Sequence, residues 1–221
     1  IKYKHKMSDL HDINILGIDI KIYDEIGSIG YKQVEQELNN DFYNLKNINF
    51  NNEDIIIDVG AHVGIFSIYF GKKFPNIKIY SLEPSFSNFK NLIENLKINN
   101  CKNIYPLNLG LLDKTMFKNL ALSSKTIDHS SMINTDGLNF VEENCFFISI
   151  DDLINLFKLK KVSLLKIDCE GAEYLIFDKF KDYDIIDKLV IEIHSCENLG
   201  FNRSQLCEKL FKNLGNRLLI V

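Results

Sequence analysis

The sequence predicts an α/β fold, with a mostly parallel central sheet covered by helices on both faces. Three observations point there. Apolar runs of strand length alternate with helical periodicity from Ile55 onward. A glycine turn, Asp58-Val59-Gly60-Ala61-His62-Val63-Gly64, joins the first of these runs to the first of these helices. Strand-like runs also end on carboxylates, at Glu83 and Asp168, where an open α/β sheet gathers its ligands.

The elements follow in order. "INILGIDIKIY" (13–23) alternates on either side of Gly17 and predicts a short hairpin. Tyr31, Val34, Leu38 and Phe42 recur at helical spacing, so residues 1–49 form an N-terminal cap of hairpin plus helix ahead of a main domain over 50–221. In that domain, strand 55–58 leads to helix 63–72, and "NIKIYSLEP" (76–84) is the second strand. Phe86, Phe89, Leu92, Ile93 and Leu96 stripe the next helix, and "NIYPLNLGLL" (103–112) is the third strand region. Residues 113–147 break the rhythm and suggest an insertion of short strands and loops. "SIDDLINLFK" (149–158) restores a helix, capped by Asp151 or Asp152. Buried strands at 162–168, 188–194 and 217–221 alternate with helices at 172–180 and 204–214. The sixth strand leaves a parallel edge, a pairing liability that implies a truncated chain, an uncounted strand or a partner that covers it, such as a second copy.

Composition narrows the function. With 46% hydrophobic and 25% charged residues, the chain is an ordinary globular sequence. A net charge of −4 gives no basic footprint, so a nucleic-acid partner is not expected. Five cysteines, an odd number without a CxxC pair, suit reduced thiols in a cytoplasmic setting better than disulfides or a zinc site. No run is apolar for long enough to span a membrane, and no signal-peptide core opens the chain.

The glycine turn selects among nucleotides. A dinucleotide fold would show G-x-G-x-x-G after the first strand, and a P-loop would carry Gly-Lys-Ser/Thr. This turn reads D-x-G-x-x-x-G. It suits S-adenosylmethionine (AdoMet): Gly60 lets the backbone approach the ligand, the helix start offers N–H groups to the methionyl carboxylate, and Asp58 can take the ammonium. Glu83, ending the second strand, can accept from both ribose hydroxyls.

At this point the chain resembles the FkbM-type AdoMet-dependent methyltransferases. "DVGAHVGIFS", "SLEPSFSNFKNLIENLKIN", "SIDDLI" and "LLKIDCEGAEYLIF" follow in that family's order and spacing over residues 50–195. The resemblance implies a Rossmann-like class I methyltransferase acting on hydroxyl groups of sugars, glycolipids or polyketide products. It implies AdoMet contacts at Asp58, Gly60, Ala61, His62, Gly64 and Glu83, and places Asn108 where the adenine edge is read. "HSSM" (129–132) sits at the family's Ser-Ser element, so His129, Ser130 and Ser131 are candidate acceptor contacts. One departure stands out: the usual seventh, antiparallel strand has no counterpart after the sixth.

Methyl transfer to an alcohol needs the acceptor oxygen in line with the methyl carbon and a group to take its proton. "KIDCEGAE" supplies Asp168, Glu170 and Glu173, and "VIEIH" supplies Glu192 and His194. The catalytic set read here is Asp168, Glu170 and His194, with a neutral His194 as proton acceptor near pH 7. Lys166 shares a strand face with Asp168 and reads as the partner of a buried carboxylate. Glu173 divides between a first-turn helix position and the site, and Glu192 belongs with a structural hydrogen-bond network. His62 contributes backbone and shape. Two clustered carboxylates without a third ligand commit the site to no metal. The expected function is AdoMet-dependent O-methylation of a small-molecule or glycan acceptor. The alternatives are an NAD-linked sugar oxidoreductase or epimerase, and a degenerate methyltransferase fold that only binds.

Overall fold

Strand alternation builds the central sheet and divides its core. Six strands, β3 (Ile55–Val59), β4 (Lys78–Leu82), β5 (Ile104–Leu107), β10 (Leu164–Ile167), β11 (Leu189–Ile191) and β12 (Leu218–Ile220), lie in the order β12-β11-β10-β3-β4-β5. Every pairing in it is parallel. Ile57, Leu165, Leu189 and Ile191 face one apolar cluster, while Ile56, Leu164 and Val190 face another. Each face is therefore buried, as a parallel sheet requires. The computed structural model describes residues 8–46, 48–123, 130–131, 140–197 and 200–221.

Helices α2 (Ile65–Lys73) and α3 (Phe86–Ile98) cover the Ile56 face. Helices α4 (Ile150–Phe157), α5 (Glu173–Ile176) and α6 (Arg203–Leu214) cover the other. The strand 162–168 and helix 204–214 expectations hold to within two residues, but the helix expected over 172–180 is only α5. The α4 cap is Ser149, whose Oγ accepts from the Asp152 N–H at 3.1 Å; Asp151 and Asp152 occupy the first turn instead. The reason is local. Ile150 is buried and already helical, which puts the cap two or three residues earlier than Asp151 or Asp152.

Residues 103–112 are two strands, not one. After β5 the chain turns at Asn108, and β6 (Gly110–Leu112) joins a second sheet, order β6-β9-β7-β8. Gly110 makes room for its partner on that sheet, Phe147: a Cβ there would lie 2.5 Å from the ring. The insertion is also more regular than expected. β7 (Met116–Ser123) and β9 (Phe140–Ser149) pair antiparallel from Met116↔Phe147 to Ser123↔Phe140, and β8 is Ser130–Ser131.

The N-terminal hairpin is longer than read, with β1 (Ser8–Ile15) and β2 (Ile18–Glu25) pairing, among the described residues, only with each other. Helix α1 (Gly30–Asn39) follows. Two asparagines one turn apart, Asn95 on α3 and Asn99 at its C-cap, serve β2 as a surrogate strand. The Asn95 amide accepts from Tyr23 N–H at 2.6 Å and donates to Tyr23 O and Val63 O, both at 2.9 Å. Asn99 accepts from Lys21 N–H at 3.1 Å and donates to Lys21 O at 2.6 Å. At the other end, β12 pairs only with β11 and forms the sheet edge among the described residues.

Asn95 has no exposed surface, so Asn95→Ala strands the Tyr23 and Val63 groups that it pairs. Urea unfolding should show the variant destabilised by about 2–4 kcal/mol. A shift below ~0.5 kcal/mol would mean that the hairpin is held by its apolar face alone.

Candidate active site

The glycine turn is shaped by sterics. Gly60 has φ +73°, and a Cβ there would lie 1.8 Å from the backbone carbonyl oxygen of Asp168. Gly64 has φ +91°, and its Cβ would meet Leu92 at 2.4 Å. The first glycine lets the ends of β3 and β10 touch; the second seats α2 on α3. The turn's amides are largely engaged. Gly60 N–H and Ala61 N–H both donate to Leu82 O at 3.0 Å, and Gly64 N–H donates to Ala61 O at 2.8 Å. The Gly60 and Ala61 amides thus tie the turn to β4, while both residues line the cavity.

Below the turn lies a buried ionic cluster. Asp58 is inaccessible; its Oδ2 accepts from Ser67 Oγ at 2.7 Å and its Oδ1 sits 3.4 Å from Lys166 Nζ. Strand alternation turns the carboxylate toward α2, away from the cavity, so Asp58 is not placed to take a ligand's ammonium directly. Lys166 Nζ also lies 3.4 Å from Asp168 Oδ2 and donates to Gly60 O at 3.4 Å. Burial opposes its charge, but Asp168 and Asp58 outweigh that and hold its pKa above the ordinary lysine value.

Glu83 stands on the cavity wall with its carboxylate fixed by the backbone. Oε2 accepts from His62 N–H and Oε1 from Ser85 N–H, each at 2.9 Å. Burial raises its pKa, and His62 and the two amides oppose the rise. Asn108 is engaged locally: its amide donates to Glu83 O at 2.9 Å and Pro84 O at 3.1 Å, and it does not line the cavity.

A cavity of about 310 Å³ runs from this turn to the ends of β10 and β11. Gly60, Ala61, His62 and Glu83 line one end; Asp168, Glu170, Glu192 and His194 line the other. Leu120 and Phe147 bring the second sheet to its wall, and Gln33, Glu37 and Tyr43 bring the N-terminal segment. Ser130 and Ser131 pair with β7 at Leu122 and Ala121, while His129 lies outside the described residues.

His194 sits among carboxylates. Its Nδ1 is 3.1 Å from Glu173 Oε1; its Nε2 is 3.5 Å from Glu170, 3.7 Å from Glu192 and 3.9 Å from Asp168. Tyr174 OH donates to the His194 carbonyl at 2.7 Å and holds its backbone. Burial lowers the imidazole's pKa, but Glu173, Glu170 and Asp168 overcome it and raise it to about 9. The expectation of a neutral His194 is therefore corrected: at pH 7 it is an imidazolium. Two residues outside the expected set matter here. Glu173 is fully buried and accepts from Cys169 N–H at 3.1 Å, and its Oε2 has no hydrogen-bond partner. Glu192 follows β11 directly, and its pKa is raised by burial and then by Asp168. Asp168, Glu192 and His194 bring one ligand atom each within 4.8 Å of one another. That is three potential ligand atoms where the sequence offered two clustered carboxylates, and a metal ion bound there would displace the proton of the imidazole.

Two curated relatives of this chain are named as methyltransferases. The family described as the Methyltransferase FkbM domain matches residues 58–218. "Methyltransferase 1" of Beauveria bassiana (strain ARSEF 2860) is 26% identical over 171 aligned residues, covering 68% of this chain and 68% of that protein. "Methyltransferase sdnD" of Sordaria araneosa is 24% identical over 181, covering 68% and 69%. Among solved structures, the precorrin-6y C5,15-methyltransferase of Geobacter metallireducens GS-15 aligns at TM-score 0.43 and 15% identity, over 74% of this chain and 65% of that one.

His194 also makes stability depend on pH. Its folded pKa lies above the ordinary value of 6.5, so its pairing stabilises the fold fully below that value and is lost as pH rises through about 9. Urea unfolding of the wild type should therefore show stability falling between those limits, and His194→Gln should flatten that fall. Equal slopes in the two proteins would show that the imidazole is not the titrating group.

Proposed function

The chain belongs to the FkbM methyltransferase family, and from that premise we propose that it methylates a hydroxyl group on a sugar, glycan or related small molecule, with AdoMet as donor. One observation carries the reading: Glu83, held by two backbone amides, opens onto the same cavity as the Asp168–Glu192–His194 cluster. A nucleoside-binding carboxylate and a proton-accepting end are thus joined in one space. Family membership sets aside the oxidoreductase alternative.

The residues fit the donor. Glu83 is poised to accept from the ribose hydroxyls, and the Ala61–His62 edge of the turn flanks it. The carboxylates at the far end suit the donor's positive charge. Asp58 contributes by fixing Lys166, and Asn108 by holding the Glu83–Pro84 backbone. AdoMet supplies a sulfonium-bound methyl carbon that is electrophilic toward oxygen. Bound there, it would give that carbon to the acceptor oxygen, the carbon–sulfur electron pair passing to sulfur.

The chain's own groups provide the base and the geometry. Glu192 is the proton acceptor: burial and the neighbouring Asp168 raise its pKa toward that of a useful base, and its side chain is 34% exposed to the site. The hydroxyl proton passes to Glu192 and then to solvent. Asp168, fixed by Lys166, orients the hydroxyl, and the His194 imidazolium sits between Asp168, Glu170 and Glu192 and offsets their mutual repulsion. Five free cysteines fit a reducing, cytoplasmic setting, and no helix among the described residues is long and apolar enough to cross a membrane.

S-Adenosylhomocysteine (AdoHcy) at a hundredfold its Kd should stabilise the protein by about 2.7 kcal/mol in thermal unfolding. Glu83→Ala should weaken that binding by about 1–3 kcal/mol, since the ribose loses a charged acceptor. Calorimetry that detects NADH binding and no AdoHcy binding would overturn the reading.

Glu192→Gln tests the base. Labelled-methyl transfer into a panel of glycoside acceptors should fall by about 10²–10⁴-fold, while AdoHcy affinity stays within a few fold. Turnover unchanged in Glu192→Gln would return the base role to Asp168 or Glu170.

A further inference from the structure

The N-terminal helix does more than cover the fold. Gln33, Glu37 and Tyr43 line the cavity, yet all three precede the family match at residues 58–218. The Glu37 carboxylate is held in place: Oε2 accepts from Tyr43 OH at 2.8 Å and Oε1 from Gln33 Nε2 at 3.0 Å. Tyr43 is itself buried and packs edge-on against Phe66 of α2, with ring centroids 5.9 Å apart. Lys166 Nζ lies over that same Phe66 ring at 5.8 Å. Helix α1 is thereby joined through Tyr43 to α2, beside the buried cluster of Asp58, Lys166 and Asp168.

The charges in this cavity are unevenly matched. Glu37, Asp168, Glu170 and Glu192 all line it. The Lys166 ammonium is engaged by Asp58 and Asp168, and His194 by Glu173 and its neighbours. Glu37 is bonded to a phenol and an amide, both neutral, and makes no ion pair among the described residues. It also acts on Glu192 through like charge. A carboxylate set rigidly into a partly buried wall without a counter-ion favours a cationic ligand beside it.

We infer that Glu37 selects the charged donor over the neutral product, holding sulfonium AdoMet in preference to the thioether AdoHcy. The inference rests on the donor proposed above. Methyl transfer removes the positive charge from sulfur, and the hydroxyl proton leaves through the carboxylates. The attraction that retains the donor therefore lapses in the product. Product release is built into the charge of α1, a segment outside the family match.

Calorimetry on the full chain tests this with AdoMet, AdoHcy and sinefungin, which carries an amine in place of the methylsulfonium group. Glu37→Gln should weaken AdoMet and sinefungin by about 3- to 30-fold, the size of one unscreened charge at partly buried range. AdoHcy should stay within about twofold of the wild type. Equal loss for all three ligands would assign Glu37 to the shared ammonium or to packing, and equal affinities before and after would remove it from the site; either overturns the inference. Absence of AdoHcy binding to the wild type would instead defeat the donor assignment itself. If Glu37→Gln does not fold, the wild-type preference for AdoMet should shrink by about threefold or more from low to ~0.5 M salt as charges are screened. A preference that salt leaves unchanged would also overturn it.

Discussion

The approach of Gly60 to the Asp168 carbonyl organises the rest of the molecule. With no Cβ at that point, the carboxyl ends of two adjacent parallel strands meet at backbone contact, a spacing that any side chain at Gly60 would break. The contact draws Asp58 and Lys166, paired across β3 and β10, into one buried set with Asp168. It also turns the loop that brings His62 N–H onto Glu83. One steric requirement thus connects the nucleoside end of the cavity to the acceptor end, and the positions of Glu83, Asp168 and Glu192 follow from it.

Electrostatics then gives that frame its chemistry. Two cations, Lys166 and the His194 imidazolium, are each surrounded by carboxylates that would otherwise repel one another. Glu173 is the extreme member: it has no exposed surface, and one of its oxygens lacks a hydrogen-bond partner. Unsatisfied buried groups of this kind are destabilising, and folds retain them mainly where a site needs them. Here Glu173 holds the imidazole by Nδ1 and directs Nε2 toward the three cavity carboxylates.

The walls come from three parts of the chain. The glycine turn and strand ends supply the charged floor, the second sheet supplies Leu120 and Phe147, and the N-terminal segment supplies Gln33, Glu37 and Tyr43. Asn95 and Asn99 fix that segment by pairing their amides with the β2 backbone, as a neighbouring strand would. A helix thereby blunts an otherwise unpaired strand edge. The same contacts set where α1 stands and so what the cavity wall contains.

Much of this was legible in the amino-acid sequence. Unbroken apolar runs of strand length determine the central strands, because in a parallel sheet covered on both faces every side chain meets one buried layer or the other. The D-x-G-x-x-x-G turn and the strand-ending Glu83 and Asp168 determine which end of the sheet is functional, because turn geometry and carboxylate position are local properties. Only the tertiary structure decided the roles of individual charges. Asp58 reads as ligand-facing until its strand register turns it onto Ser67 and Lys166, and His194 reads as neutral until Glu170, Glu173 and Glu192 gather around it. Glu37 lies 131 residues from Asp168 in the chain and carries no motif. A pKa depends on every charge within several ångströms, and those neighbours come from segments that the sequence keeps far apart.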